Sequence, residues 1–250
     1  MLKRGGNIDM NIIVQKFGGT SVKNKECLEN VCKIVTNEYD KGNSVVVVVS
    51  AQSGVTDNLS KKASEITDMP SKRELSVILS SGEQITAALL CMCLEQKGNK
   101  AISYTGWQLP IITDSDYTNA NVIDIDTKNI ISKLKDRYIV VVTGFQGIDN
   151  ENNITTLGRG GSDTTAVCLA HFLNASRCEI YTDVDGVYTK DPNTNKDAKK
   201  IECISYSDML KMANTGAKVL HNKCVEYAQK HNVVIHVKSS FEKGKGTIVK

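Results

Sequence analysis

The residues of this chain best suited to chemistry gather around glycines. Lys16 stands two positions ahead of the pair Gly18-Gly19. Far downstream, Arg159, Ser162 and Asp163 are interleaved with Gly158, Gly160 and Gly161. Each glycine segment follows a β-like apolar run and opens a helix-like stretch. Paired glycines let a ligand approach bare peptide N–H groups, and a helix N-terminus favours negative charge. With a lysine on one segment and an arginine and an aspartate on the other, the pair suits a site for at least two anionic groups.

The elements that must position these residues follow from periodicity. Residues 11–17, 44–50, 139–145, 178–182 and 233–237 read as strands, with a shorter one at 100–104. The valine run inside 44–50 predicts a strand buried on both faces of a parallel sheet. Helical spacing marks 24–41, 72–96 (with Gly82-Glu83 embedded), 161–173, 205–212 and 218–230. Residues 114–126 read as loop, 149–154 as a hairpin tip, and 244–249 as a last edge strand. Strands alternating with helices imply an α/β fold, with a mainly parallel sheet covered on both faces. Ligands in such sheets sit beyond the carboxyl ends of strands. Lys16, Ser50, the 143–147 stretch and Thr182-Asp183 all fall at those ends. Residues 1–10 read as a poorly ordered leader. Residues 11–250 read as one domain, with an N-terminal lobe to about 175 and a C-terminal lobe from about 176 sharing one sheet.

Composition bounds the function. In 250 residues, 40% are apolar, 24% are charged and the net charge is +3, ordinary values for a globular protein. No basic stretch interleaves with aromatics, which argues against nucleic acid as the main partner. No unbroken apolar run approaches the roughly 20 residues of a membrane span. The first residues lack a signal-peptide core, which predicts a cytoplasmic place. The eight cysteines form no Cys-x-x-Cys pair. They read as free thiols used as small core residues in a reducing compartment. No Walker-type phosphate loop is present, and Asp163 stands where a dinucleotide fingerprint needs its third glycine. His-Arg-Asp and Asp-Phe-Gly are also missing, which excludes a protein kinase fold.

Four segments resemble the aspartate kinases, within the amino acid kinase superfamily. Lys16-Phe17-Gly18-Gly19-Thr20-Ser21-Val22 is similar to the family's opening motif, and the stretch from Thr155 to Ala166 to its central one. The stretch from Thr182 to Pro192 resembles the nucleotide-binding segment, of which uridylate kinases carry a close version. Gly216-Ala217-Lys218-Val219-Leu220-His221 matches a further motif. All four stand in the family's order and span nearly the whole chain. The resemblance implies a three-layer αβα sandwich, the amino acid kinase fold. It implies transfer of the ATP γ-phosphoryl group to the β-carboxylate of L-aspartate, a first step towards lysine, threonine and methionine. An ionised carboxylate, with a pKa of about 3.9, is already a nucleophile near neutral pH. No general base is required, which fits a site without an obvious catalytic histidine.

The resemblance also implies roles. Lys16 and Lys218 meet the phosphoryl oxygens from two sides, with Gly18 and Gly19 as backbone donors. Arg159 takes the α-carboxylate of aspartate, since a guanidinium holds a carboxylate bidentately. Glu83 pairs with the α-ammonium group. Thr56 and Ser162 contact the substrate. Asp163 orients the lysines or that ammonium. For Thr56, Ser162 and Asp163 the competing expectation is helix capping. Phe17, Thr182, Asp183 and Tyr188 belong to the nucleotide side. Mg²⁺ bridges the phosphates, held by ATP and water with no protein ligand assigned. Family analogy points to a homodimer. Asn193 stands where the family often has arginine, Asn222 where proline is usual, and the Gln52-Ser53 loop differs from the common form. Family members usually continue into paired regulatory domains that bind lysine or threonine, so this stretch is expected to lack that response. The alternatives are a uridylate or glutamate kinase of the same superfamily, or a non-catalytic amino-acid or nucleotide sensor subunit.

Overall fold

The computed structural model describes residues 10–190, 194–195, 197–214 and 219–250. Among them the chain opens with β1 (Ile12–Phe17), a short 3-10 turn at Gly19–Val22, α1 (Lys25–Asp40), β2 (Ser44–Val49), α2 (Val55–Ile66) and α3 (Lys72–Gln96). Next come β3 (Ala101–Tyr104), β4 (Ile111–Thr113), β5 (Val122–Ile125), α4 (Lys128–Lys135), β6 (Ile139–Thr143), β7 (Gln146–Ile148), β8 (Ile154–Thr156) and α5 (Gly161–Phe172). The last part holds β9 (Arg177–Thr182), β10 (Val187–Tyr188), β11 (Lys200–Ile201), β12 (Cys203–Ile204), α6 (Tyr206–Asn214), α7 (Asn222–His231), β13 (Ile235–Ser239) and β14 (Thr247–Val249).

Eight strands form the main sheet in the order β12-β14-β13-β9-β1-β2-β6-β3. All its pairs are parallel except β13 with β14. The valine run behaves as its composition demands. Val46 and Val48 pack into a core with α5 and α7, while Val45, Val47 and Val49 pack into a second core with α1 and α3. Ile139 to Val142 of β6 alternate in the same way. A strand with both faces covered needs apolar residues at every position, and the three-layer α/β/α arrangement follows.

β1 lies inside this sheet, with Lys16 beside Val48 of β2 and Ile180 of β9. Beneath it, Glu179 is fully buried and takes hydrogen bonds from Gln15 (2.9 Å), Arg177 (2.9 Å) and Lys238 (3.0 Å). Burial alone would raise this carboxyl. The Lys238 ammonium and the other donors outweigh it and hold it at about 2.

Two expectations change. Residues 114–126 are not all loop, since β5 pairs antiparallel with β4 in a second sheet ordered β5-β4-β7-β8. Its middle positions, Ile123 and Asp124, are exposed, so the segment shows no buried alternation. β14 is not at the edge, because the two-residue β12 pairs outside it. Among the described residues α3 is long and apolar enough, by length and composition, to cross a membrane, and the expectation that no unbroken apolar run reaches that length stands. Half of that apolar window is buried within the fold, as in a core helix.

Six of the eight cysteines are buried. Burial pushes the Cys168 thiol up to about 12.

Candidate active site

Past the carboxyl ends of β1 and β2 lies a cavity of about 340 Å³, within the range of small-molecule sites. Its floor is Lys16. The Nζ atom stands 2.5 Å from Asp163 Oδ1 in the first turn of α5, and both side chains are nearly buried. The lysine leaves the end of a central strand and the aspartate leaves the start of a covering helix, so the fold itself brings the charges together.

Two helices begin at this cavity, and neither has a side-chain cap. The residue preceding α5 is Gly160 (φ 72°) and the one preceding α2 is Gly54 (φ 80°), both left-handed. The capping expectation therefore fails for Thr56, Ser162 and Asp163. All three line the cavity instead. The hydroxyls of Thr164 and Thr165 turn back onto the carbonyls of Gly160 and Gly161, at 3.2 and 3.0 Å. Uncapped helix starts with free peptide N–H groups suit an anion.

Glu83 forms another wall. It lies in the middle of α3 and is 3% exposed. One carboxylate oxygen, Oε1, accepts the Ala51 N–H at 2.9 Å. The other, Oε2, is buried and has no partner. Burial pushes this carboxyl up to about 7, against the lowering effect of the Ala51 bond. An orphaned carboxylate oxygen on a cavity wall is a place for a cationic group. Arg159, exposed at the mouth, supplies the opposite charge. Lys223 of α7 holds the loop that carries it, donating to the carbonyls of Ala120 (2.7 Å) and Leu157 (3.4 Å).

Of the residues named from the sequence, Lys16, Gly19, Thr56, Glu83, Arg159, Ser162 and Asp163 meet at this one cavity. Gly18 differs from its expected part, since its N–H donates to the Tyr181 carbonyl at 3.3 Å. The Phe17 ring is fully buried and stacks on Tyr181, centroids 4.7 Å apart. The Phe17 carbonyl accepts the Ser50 N–H at 3.1 Å, and Phe17 does not line the cavity.

Thr182, Asp183 and Tyr188 do not line the cavity. Thr182 ends β9, the neighbour of β1, and Tyr188 ends β10; the Thr182 hydroxyl donates to Asp183 (3.0 Å) and the Tyr188 hydroxyl to Asp185 (2.7 Å). Lys200 also holds Asp185, at 2.7 Å. Lys218 and Asn193 lie outside the described residues. Asn222 is the first residue of α7.

Sequence reasoning did not single out Asp57 or Phe145, which also line the cavity. Asp57 carried a signal, an acidic residue in a first helical turn. Phe145 carried only its place in the 143–147 stretch at a strand end. Its left-handed backbone (φ 70°) exists only in the fold, where its N–H donates to the Thr165 hydroxyl at 3.0 Å.

A parallel sheet with this cleft at its strand ends, walled by charges of both signs, suits a small ligand that itself carries both charges. The family model described as "Amino acid kinase family" matches residues 11–239, and the chain belongs to that family. Among relatives, the aspartokinase of Geobacillus stearothermophilus is 53% identical over 96% of this chain and 59% of its own length. The crystal structure of aspartate kinase from Synechocystis superposes with a TM-score of 0.84 at 43% identity, covering 95% of this chain and 39% of that one. E. coli aspartokinase III, in complex with aspartate and ADP, gives 0.84 at 28%, covering 95% and 64%. The chain spans less than two thirds of the length of the curated relatives it matches.

Proposed function

We propose that this chain is the catalytic unit of an aspartate kinase, which moves the γ-phosphoryl group of ATP onto the β-carboxylate of L-aspartate. The observation that carries the reading is Glu83 Oε2, buried on the cavity wall without a partner. A zwitterionic amino acid supplies the missing ammonium. Arg159 then takes the α-carboxylate, with Thr56 and Ser162 as hydroxyl partners. The β-carboxylate is left towards Lys16. Its ionised oxygen attacks phosphorus directly, so the protein's task is alignment and charge neutralisation.

Lys16 neutralises charge on the transferred phosphoryl group, and Asp163 fixes where its ammonium stands. The uncapped starts of α2 and α5 and the N–H of Gly19 add fixed dipoles. The nucleotide lies over the β9 end, near Thr182, Asp183 and Tyr188, with Lys218 as a second cation. Among the described residues no group of three or more His, Cys, Asp or Glu is placed to hold a metal. A Mg²⁺ ion carried by the phosphates and water would supply positive charge to offset theirs.

The same reading carries a cytoplasmic place, a role towards lysine and threonine, and a homodimer. An assay of ADP release with L-aspartate, L-glutamate and uridylate in parallel tests it, with the acyl phosphate trapped by hydroxylamine. Turnover with aspartate is expected. Turnover with uridylate or glutamate alone makes the chain another kinase of the family, and binding of ATP and aspartate without ADP makes it a sensor.

A further inference from the structure

The first turn of α7 holds a cation where a helix dipole disfavours one. Lys223 is the second residue of α7, no acidic side chain stands in that turn, and the preceding His221 gives it no side-chain cap. The ammonium is engaged elsewhere. Its Nζ donates to three peptide carbonyls, those of Ala120 at 2.7 Å, Asn119 at 3.3 Å and Leu157 at 3.4 Å. An ammonium has three N–H donors, and three acceptors from two loops converge on it. Burial pulls its pKa down, while the charges of Asp114 and Asp116 support the cation.

The two loops run side by side. The Ala120 N–H donates to the Thr156 carbonyl at 2.9 Å, and the Thr156 N–H to the Tyr117 carbonyl at 2.6 Å. The second loop continues into Gly158-Arg159-Gly160, where both glycines are left-handed, φ 75° and 72°. Glycine backbones restrict the arginine little, so neighbours must do it. A Cβ on Gly158 would stand 2.7 Å from Asn119 Oδ1, and one on Gly160 would run into His221. Both neighbours answer to the start of α7. His221 precedes its first residue, and Asn119 is held there through its own carbonyl by Lys223.

We infer that Lys223 is a positioning residue for the amino-acid substrate, a built-in cation that ties the 117–120 and 157–160 loops to α7 and so sets where Arg159 meets the α-carboxylate. This rests on the reading of Arg159 above and adds what gives the arginine its place. Lys223 is not among the residues lining the cavity, so its effect passes through the loop. Without the ammonium, three carbonyl oxygens would face one another with no donor between them, and the loops would part to reach water.

Steady-state kinetics with L-aspartate and ATP, together with amide hydrogen exchange over residues 157–161, test it on four forms: the chain itself, Lys223→Met, Arg159→Ala and the double variant. Lys223→Met is expected to raise KM for aspartate by about tenfold, with kcat within about twofold. Exchange at 157–161 is expected to rise while exchange in β1 stays as it was. In the Arg159→Ala background the same change is expected to raise KM by less than about twofold, because the lysine acts through the arginine. Lys223→Gln keeps two N–H donors and is expected to raise KM by a smaller factor; it carries the same comparison if Lys223→Met does not fold. KM and exchange both unchanged overturn the proposal and leave the aspartate reading standing. A fall in kcat with KM held, or an equal rise in KM with and without Arg159, also overturns it. No turnover of aspartate by the unaltered chain overturns the proposed function, and this proposal with it.

Discussion

The ammonium of Lys16 and the carboxylate of Asp163 stand 2.5 Å apart, joining the end of β1 to the first turn of α5. Breaking one half of a nearly buried pair leaves the other charge uncompensated, at a cost of about 3–5 kcal/mol. Lys16→Met is therefore expected to lower both the melting temperature and kcat, the latter by about 10²–10³ as for loss of one donor to developing charge. The double change Lys16→Met with Asp163→Asn is expected to regain most of the stability and none of the turnover. Thermal unfolding and steady-state kinetics on the four forms check this. Recovered turnover in the double variant would show that the pair is structural only.

Glu83 gives a pH dependence with a definite sign. Its carboxyl is raised from 4.5 to about 7. The native state thus holds a proton that the unfolded chain releases, and stability falls as pH rises from about 4.5 through 7. Glu83→Gln removes that penalty and is expected to stabilise the ligand-free protein by roughly 3 kcal/mol at pH 8, with little gain at pH 4. The same change should raise KM for aspartate. In the unaltered protein, aspartate affinity should drop below pH 7, where a protonated Glu83 no longer attracts an ammonium. Denaturant unfolding at both pH values and a pH series of KM measure the two effects. A flat profile in both contradicts the assignment.

Arg159 is expected to act on binding rather than on the chemical step. Arg159→Lys keeps the charge but loses the planar fork. It should raise KM for aspartate by about tenfold, a loss of roughly 1.4 kcal/mol, with kcat changed much less. If kcat falls and KM holds, Arg159 faces the phosphoryl group instead.

Gly54 and Gly160 precede their helices in the same left-handed conformation but in different surroundings. A Cβ on Gly54 meets nothing within 4 Å, whereas one on Gly160 runs into the Cβ and ring of His221. Gly54→Ala is expected to cost about 1–2 kcal/mol, the conformational term alone. Gly160→Ala should cost clearly more. Equal losses in thermal unfolding would mean that His221 moves aside freely.

Much of this was legible in the sequence because it rests on local rules. The valines of β2 had to be buried on both faces, so the layered sheet could be read directly. Lys16, Arg159 and Asp163 announced themselves through the glycines beside them. What could not be read depends on tertiary contact. The second sheet hangs on three- and four-residue strands, too short for a period to register. Thr56 looked as fit for a cap as for a ligand until Gly54 proved to hold the cap position. Glu83 was named through the resemblance, but its oxygen without a partner exists only once α3 packs against Ala51. Gly18 seemed an open donor because its bond to Tyr181 crosses from β1 to β9. Nothing about Phe145 as a residue hinted at its backbone.

The placement of β1 has a mechanical consequence. Strands ladder it on both sides, so the lysine at its end sits on the stiffest part of the molecule, while Arg159 rides on an exposed loop held from α7. Of the two charges, the lysine is the one fixed in place, and the arginine is the one that a ligand arriving from solvent meets first.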